Sequence, residues 1–281
     1  MAFSILNNIA GVNAQNQLNL NSVNLNRTLL RMSSGKRINS GADDAAGLGI
    51  ADSLRANVRA LDQAVRNASD GISVAQIADG ALEEITNLLT RAFALAEEAA
   101  TDTVDSTGRT ALNAELTSIK NEIDRIATQT NYNGVLLFSS AANGLNGTLN
   151  VFVGDTSVAS SIAVTFATIT TTSVGGTDIS GTDLTTQVDA TTAITTLKNA
   201  LRGISSARAD LGAGMNRLQS AVAVLQNMAQ NTLAAESNIR DANMAEEIAN
   251  MTKYQILAQS GIAALSQANA SAQSVLSLLR E

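Results

Sequence analysis

Apolar residues recur every seven positions over long stretches of this 281-residue chain, and this repeat restricts the fold more than any other feature. In the C-terminal half, one row comprises Leu197, Ile204, Leu211, Leu218 and Leu225, and a second row comprises Ile194, Leu201, Met215, Val222 and Ala229. Only Arg208 interrupts the second row. Two apolar rows in this spacing are typical of coiled-coil helices. We predict one long helix over residues 192–236.

The N-terminal half carries the same repeat. Its clearest row comprises Leu54, Leu61, Ala68, Ala75, Leu82 and Leu89. This row predicts a helix from about Asp44 to Ala99, and the segment "ALNAELTSIKNEIDRIATQ" (111–129) predicts another. The chain contains no Pro, so nothing in its covalent structure interrupts such helices.

The middle of the chain has a different composition. Between Ile126 and Leu197 there is no Lys or Arg. The stretches "GTLNVFVGD" (147–155) and "SIAVTFATIT" (161–170) alternate apolar and polar residues and are rich in β-branched side chains, which predicts strands. The Thr-, Ser- and Gly-rich stretch from Thr170 to Gln187 predicts an exposed loop.

Long helices on both sides of one insertion can pair in antiparallel fashion. We therefore predict a mainly α fold, a long antiparallel coiled-coil rod built from both chain halves with a small β-hairpin-rich insertion. The insertion lies at one end of the rod and both termini at the other. The predicted domains are a terminal helical core (1–42 and 238–281), a central long-helix rod (43–138 and 192–237) and a solvent-facing insertion (139–191).

Both ends of the chain lack charge. No charged side chain occurs from Met1 to Asn26 or from Tyr254 to Leu279, where Asn, Gln and Ser are frequent instead. A buried charge costs several kcal/mol unless it is paired, whereas side-chain amides can donate and accept hydrogen bonds with each other. This pattern favours helices that stay disordered until copies of the same chain surround them. The alternative is a pair of ordinary amphipathic helices that cover a core.

The terminal helices contain a looser apolar repeat. We predict that it forms the seam through which the termini assemble. The seam comprises Leu18, Leu25, Leu29, Met32, Met244, Ile248, Met251, Ile262, Leu265, Leu276 and Leu279.

Composition argues against several classes of function. The chain has neither His nor Cys, which removes the commonest general base, the commonest zinc ligands and all thiol chemistry. We therefore expect no enzyme, no metal site and no cofactor. The net charge of −7 argues against nucleic-acid binding. The start of the chain lacks the pattern of a cleaved secretory signal, and the polar residues of the C-terminal stretch argue against membrane insertion.

Three long motifs resemble bacterial flagellin. They are "LNRTLLRMSSGKRINSGADDAAGLGIADSLRANVRAL" (25–61), "NEIDRIATQTNYNGVLLF" (121–138) and "YQILAQSGIAALSQANASAQSVLSLLR" (254–280). They occur in the same order as in that family. The resemblance covers roughly residues 1–138 and 194–281, and the short insertion resembles no segment that we can assign.

The resemblance implies a structural subunit of the bacterial flagellar filament, the propeller of cell motility. It implies an open helical homopolymer whose terminal helices fold on assembly. It also implies secretion through the flagellar type III apparatus to the outside of the cell. The implied partners are other copies of the chain, an export chaperone at the C-terminal segment, and the filament cap and hook-associated proteins.

The segment "SSGKRINSGADDAAG" (33–47) contains Gly-Lys but lacks the spacing of a phosphate-binding loop. We interpret Gly35, Lys36, Arg37, Asp43 and Asp44 as a turn between the terminal and central helices, with the acids at a helix N-terminus. In the family that the chain resembles, this spoke-like turn also makes contacts between subunits.

The segment "LLTRAFALAEEAA" (88–100) resembles the site through which many flagellins engage Toll-like receptor 5. The matching positions are Arg91, Leu95 and Glu115, and all three residue types are kept. Phe93 and Ala94 depart from the pattern of receptor-active members. Spacing alone favours a simpler interpretation, a solvated Arg next to a core Leu.

Two other functions stay open at this point. A hook–filament junction protein has similar ends, although the segment at 33–47 favours flagellin. A secreted protein that binds a host receptor as a monomer would not polymerise at high concentration.

Overall fold

A computed structural model describes residues 8–139, 144–145, 147–154 and 160–278, with side chains described as far as residue 271. These residues contain helices α1 (Ile9–Ser34), α2 (Ala45–Ala99), α3 (Ser106–Gln129), α4 (Gln187–Arg240) and α5 (Met244–Leu278). The strands are β1 (Asn131–Tyr132), β2 (Val135–Leu136), β3 (Thr148–Phe152) and β4 (Ser161–Thr165). The mainly α class with a small β-rich insertion is confirmed.

The chain forms two compact units. One consists of Met1–Asn57 and Asn231–Glu281, and the other of Val58–Gln230. Both boundaries fall inside α2 and α4 rather than at the ends of helices. The three domains with their boundaries near residues 42, 138, 191 and 237 stay a prediction.

The predicted central helices are present. Helix α2 matches its predicted range, and α4 extends beyond its predicted range at both ends. Helix α4 begins before the predicted position because Thr186 caps its N-terminus. The Thr186 hydroxyl accepts a hydrogen bond from the Asp189 amide at 3.1 Å and donates one to the Asp189 carboxylate at 2.5 Å. The first bond satisfies a backbone amide that the helix N-terminus leaves unpaired, and the second fixes the Thr186 hydroxyl in place for it.

The heptad rows form the core of the unit Val58–Gln230. Leu82, Leu89, Leu197, Ile204 and Leu211 are fully buried. In the second row of α4, Ile194, Leu201, Met215 and Val222 are only partly buried. In this row, the guanidinium of Arg208 contacts both carboxylate oxygens of Asp79, at 2.7 and 3.2 Å. In the same unit the side-chain amide of Gln187 donates to the Ala100 carbonyl, and with the Arg208–Asp79 contact this shows that α2 and α4 run antiparallel there, as predicted.

Two short hairpins complete this unit. Strands β1 and β2 pair antiparallel across Asn133 and Gly134, whose positive φ angles of 50° and 82° suit the tight turn. Strands β3 and β4 also pair antiparallel, with Thr148 opposite Thr165 and Phe152 opposite Ser161. Both strand predictions therefore hold over the described residues.

The loop prediction for Thr170 to Gln187 is wrong in part. Ile169, Val174, Ile179 and Leu184 occur at every fifth position, and all four are buried, with at most 1% exposure. We call residues 169–186 the strap. The sequence of the strap is polar overall, and its four aliphatic residues are spaced five positions apart. Because this spacing fits neither a helical nor a strand period, the sequence pattern does not identify them as buried.

Polar side chains of α3 hold the strap. The Lys120 ammonium donates to the Ser180 and Thr182 carbonyls at 3.2 and 2.9 Å. The Asp124 carboxylate accepts a hydrogen bond from the Thr171 amide at 2.8 Å, and the Asn113 side chain accepts one from the Leu184 amide at 3.2 Å. These bonds supply partners for backbone groups that a packed loop otherwise leaves unsatisfied.

The strap is expected to loosen in acid. Partial desolvation raises the pKa of Asp183, but hydrogen bonds from Thr185 and the charge of Lys120 outweigh this effect and hold the pKa below its ordinary value. A depressed carboxyl pKa stabilises the fold above the ordinary value and loses this contribution as pH falls through the folded-state pKa. We expect hydrogen exchange of strap amides, corrected for intrinsic rates, to accelerate as pH falls below about 4.

The control for this prediction is Asp183→Asn, which removes the titrating group. The acid-dependent step in strap exchange should shrink in this variant and persist in Asp102→Asn, which changes an exposed carboxylate. An unchanged step in Asp183→Asn would assign the acid response to another group.

Candidate functional site

The two terminal helices pair with each other in antiparallel order. The side-chain amide of Asn8 donates to the Ala268 carbonyl at 3.2 Å, and Arg31 contacts Glu247 at 3.5 Å. Between these contacts the helices approach closely, because a Cβ placed on Gly261 would lie only 3.4 Å from Leu18 Cδ1. Asn8 also caps α1, since its side chain accepts a hydrogen bond from the Gly11 amide at 2.9 Å.

The inward faces of this pair bury little apolar surface. On α1 the inward face comprises Gly11, Ala14, Leu18, Asn21, Leu25, Thr28 and Met32, and on α5 it comprises Glu247, Met251, Tyr254, Ala258, Gly261, Leu265 and Ala268. Of these, only Gly11, Asn21, Thr28 and Glu247 are fully buried. In the described part of α1 and α5, no large apolar side chain is fully buried. Over these described residues the pair therefore has no hydrophobic core of its own.

Both helices also carry a second row of apolar residues, which is exposed. We call this row the outward stripe. It comprises Ile9, Val12, Leu20, Val23 and Leu30 on α1 and Met244, Ile248, Ile256 and Ile262 on α5, with exposures between 41% and 64%. At 100° per residue, the α1 part lies on the side of that helix opposite its inward face.

The structure divides the predicted terminal seam. Leu18, Leu25, Met32, Met251 and Leu265 lie on the inward faces. Leu29, Met244, Ile248 and Ile262 do not lie between α1 and α5, since they are 43%, 41%, 48% and 58% exposed, and their part in an assembly seam stays a prediction. The Leu276 side chain and all of Leu279 lie outside the described residues.

At two positions of α5 the residue that faces α1 is the one before the apolar residue of the predicted seam. The sequence places Ile248 and Ile262 in the seam, whereas the structure turns Glu247 and Gly261 inward. Apolar periodicity cannot select these positions, because one is charged and the other has no side chain. The charged side chain of Glu247 can be buried between α1 and α5 because Arg31 forms an ion pair with it.

The two connections between terminal and central helices pair with each other. The Arg37 amide donates to the Arg240 carbonyl at 2.7 Å, and the Ala242 amide donates to the Gly35 carbonyl at 3.0 Å. Lys36 therefore lies opposite Asp241 in an antiparallel bridge. We call residues 35–37 and 240–242 the linker bridge. Gly35 ends α1 in the left-handed conformation, with φ of 68°.

The predicted turn residues Asp43 and Asp44 have separate local roles. The Asp43 carboxylate accepts hydrogen bonds from the Asn39 and Ser40 amides at 3.3 and 3.2 Å. Partial desolvation raises the pKa of Asp43, but these bonds and one from the Ser40 hydroxyl outweigh it and lower the pKa. Asp44 precedes α2 and accepts a hydrogen bond from the Gly47 amide at 2.9 Å, as expected for an acid at a helix N-terminus.

Ion pairs hold α2 and α4 together next to the linker bridge. Arg55 contacts Glu236 at 3.3 Å, and Arg240 contacts Asp52 at 3.2 Å. These two pairs run in antiparallel order, within the unit formed by Met1–Asn57 and Asn231–Glu281. Nothing in the hydrophobic periodicity indicates these contacts.

The three predicted receptor contacts do not share one exposed surface. Arg91 contacts Glu115 at 2.8 Å, and these side chains are 60% and 44% exposed. Leu95 is 1% exposed and belongs to the core. The exposed part of this set is therefore the Arg91–Glu115 ion pair, and its contact with a receptor stays a prediction.

The described residues were also searched for membrane-spanning helices and metal sites. No helix among them is both long enough and apolar enough to cross a bilayer. Across the same part of the chain, no three His, Cys, Asp or Glu side chains are grouped as metal ligands would be.

The fold defines a helical structural protein in which the two terminal helices pair. Two family models match it: "Bacterial flagellin N-terminal helical region" over residues 5–143 and "Bacterial flagellin C-terminal helical region" over residues 194–279. The chain belongs to the bacterial flagellin family, and it is a structural component of the flagellar filament.

Individual relatives match nearly the whole chain. Flagellin FlaB1 of Treponema pallidum (strain Nichols) is 36% identical, covering 98% of this chain and 99% of the relative. A flagellin of Halalkalibacterium halodurans is 37% identical with the same coverage. The solved structure of a putative flagellar hook-associated protein from Vibrio parahaemolyticus is similar, with a TM-score of 0.59 over 71% of this chain and 100% of that chain. At 13% identity, this last likeness shows the fold alone.

Proposed function

We propose that this chain enters the filament by folding its terminal helices against those of neighbouring copies. The observation that carries the proposal is the outward stripe, which leaves a row of large apolar side chains uncovered on a helix pair without a buried core. In an open helical homopolymer, each subunit presents two unlike faces to its neighbours. The outward stripe of one copy then becomes part of an interior that several copies share.

Energetics support folding on assembly. Ordering one residue costs about 1–2 kcal/mol of backbone entropy, and burial of apolar surface returns only about 25 cal/mol per Å². A helix pair whose large apolar side chains remain half-exposed offsets this cost poorly when it is alone. No charge lies between Ile9 and Arg27 or between Lys253 and Leu278, so enclosure by other copies desolvates no ion over those stretches.

Seeded polymerisation of the purified chain tests the proposal. The double substitution Ile248→Gln/Ile262→Gln removes two apolar side chains of the outward stripe. We expect seeded growth, followed by light scattering, to slow by about tenfold or more, because burial of each Ile is worth about 1.5–3 kcal/mol. Thermal unfolding of the monomer should not change, since neither side chain is buried in it.

The matched control is Thr252→Gln/Ser266→Gln. It places the same amides on exposed positions of the same helix without removing large apolar surface. If the Ile variant elongates filaments at the parent rate, the outward stripe is not the assembly surface.

The remaining partners follow from this mode of assembly. Before polymerisation the apolar side chains of the outward stripe on α5 are exposed. A chaperone that binds the C-terminal segment during export covers them. The filament is extracellular, and the chain reaches it through the flagellar export apparatus. The filament cap and hook-associated proteins are its partners at the two ends of the polymer.

Recognition by Toll-like receptor 5 is a second proposed property. The exposed Arg91–Glu115 pair supports it, since Arg is enriched among residues that dominate binding energy. We expect Arg91→Ala to weaken receptor binding by the monomer about tenfold in surface plasmon resonance. Arg125→Ala is the control, because Arg125 forms a comparable exposed pair with Glu122 on α3. Equal binding by both variants would argue against this contact.

A further inference from the structure

We propose that Met228 and Met244 are modification sites, and that their oxidation to methionine sulfoxide stops the free chain from joining the filament. The reagent is an oxygen-transferring oxidant of the peroxide class. This inference rests on the proposed enclosure of exposed apolar surface by neighbouring copies. It adds a chemical control of that surface.

Methionine supplies all of the sulfur in this chain, because the chain has six Met and no Cys. The chain also has neither Trp nor His. Oxidation of Met to its sulfoxide is a common reaction of proteins with peroxides, and enzymes can reverse it. A peroxide that reaches this chain therefore finds its reactive side chains at a small number of known positions.

Five methionines lie in the described residues, and two of them are exposed. Met228 on α4 is 50% exposed, and Met244 on α5 is 41% exposed. The side chains of Met32, Met215 and Met251 are partly buried. Because the oxidant has to reach the sulfur atom, Met228 and Met244 are the described methionines that the fold protects least.

Met228 lies in an uncharged stretch of α4. No charged side chain occurs at residues 218–235, between Arg217 and Glu236. Val224, one turn before Met228, is 57% exposed. These two side chains lie on the same face of the helix, since they are four positions apart. The terminal helices show the same combination of exposed apolar residues and missing charge, and it favours cover by another copy of this chain.

Met244 belongs to the outward stripe and lies one turn before Ile248, which is 48% exposed. Helix α5 is proposed to become ordered on assembly. The Met244 sulfur is then at least as accessible in the free chain as in the folded helix. Oxidation at this position therefore acts before the chain enters the filament.

The reaction transfers one oxygen atom. The thioether sulfur attacks an oxygen of hydrogen peroxide, so that an S–O bond forms and the O–O bond breaks. The departing hydroxide takes up the proton of the transferred oxygen and leaves as water. Sulfur is oxidised and the peroxide is reduced. The product is a polar sulfoxide, which opposes burial of this surface against a neighbouring copy unless a hydrogen-bond donor meets its oxygen.

Substitution tests the consequence of the added polarity without any oxidant. Met228→Gln/Met244→Gln places polar side chains of similar length at the two positions, and we expect seeded polymerisation to slow by at least about tenfold. The matched control is Met228→Leu/Met244→Leu, which keeps the apolar volume and should grow at the parent rate. Equal growth of the two variants would overturn the inference.

Peroxide treatment tests the sites themselves. The starting chain carries Met32→Leu/Met251→Leu, so that reaction at the partly buried positions of the terminal helices does not contribute. Treatment of its monomer should add one oxygen at each of Met228 and Met244, measured by peptide mass spectrometry, and slow seeded growth by at least about tenfold. With Met228→Leu/Met244→Leu added, growth should resist the same treatment. Met215 remains in both chains as an internal reference.

The filament provides a second comparison. In intact filaments both positions should react at least about tenfold more slowly than in the monomer, because neighbouring copies cover them. Equal rates in filament and monomer, or loss of growth that persists after the Leu substitutions, would overturn the inference. Failure of the proposed assembly surface is reported separately by Ile248→Gln/Ile262→Gln, a variant that changes no methionine.

Discussion

Filament formation is expected to disappear when residues 243–281 are removed. The deletion takes away α5, and with it the inward face that covers Leu18, Leu25 and Met32 of α1. It also removes the α5 half of the outward stripe. A truncated chain retains too little apolar surface at its N-terminal helix to offset the entropy of ordering it. Seeded growth followed by negative-stain electron microscopy should show no filaments.

The same truncation should leave the central fold intact. The buried apolar residues run from Ile38 to Ala229, so the deleted segment contributes none of the described core. Thermal unfolding followed by circular dichroism should therefore keep its cooperative transition and lose only helix signal. Long filaments from the truncated chain would contradict the assignment of α5 to assembly. Loss of the cooperative transition would show that the central unit depends on α5.

Gly203→Ala is expected to be the most destabilising single-methyl change in α4. A Cβ at this position would overlap the carbonyl of Gly175, where the strap crosses the helix backbone to backbone. Neither backbone can shift without disturbing Val174 and Ile204, which are fully buried. Overpacking of this kind costs about 1–3 kcal/mol or more. Chemical denaturation should report a lower midpoint, and strap amides should exchange faster.

Gly212→Ala provides the matched control on the same helix. No atom lies within 4 Å of a Cβ built there, so the added methyl group meets open space. Ala is favoured over Gly within a helix by about 1 kcal/mol, and the variant should therefore be slightly more stable than the parent. Equal destabilisation by both substitutions would contradict the close contact between the strap and α4.

The helical framework could be predicted from the sequence because its signals are local and repeated. The apolar rows through Leu82 in α2 and Ile204 in α4 are long, and the absence of Pro removes the commonest reason for a break. The segments that form β3 and β4 alternate apolar and polar residues and include several β-branched side chains. Each of these patterns can be recognised from residues that are close together in the sequence.

The strap shows why other parts could not be predicted. Its four buried side chains follow no regular secondary-structure period, and its polar groups resemble those of a solvent-exposed loop. Its packing depends on Asn113, Lys120 and Asp124, which belong to a different part of the chain. A single-sequence pattern contains no information on such a pairing.

Loss of charge at both ends predicted helices that become ordered when copies of the same chain surround them, and this stays a prediction. In the structure α1 and α5 pair with each other. Apolar periodicity could not show that Gly261 and Glu247 face inward, because one has no side chain and the other is charged. The linker bridge was indicated only as a turn.

The sequence by itself determined where helices run, where the strands lie and which ends avoid charge, because periodicity and composition are properties of neighbouring residues. Only the tertiary structure decided which face of each terminal helix turns inward, which carbonyl each linker amide meets and which polar segment is packed. The physical reason is that these features depend on contacts between residues far apart in sequence. Small, charged and polar side chains enter such contacts when a particular partner lies opposite them.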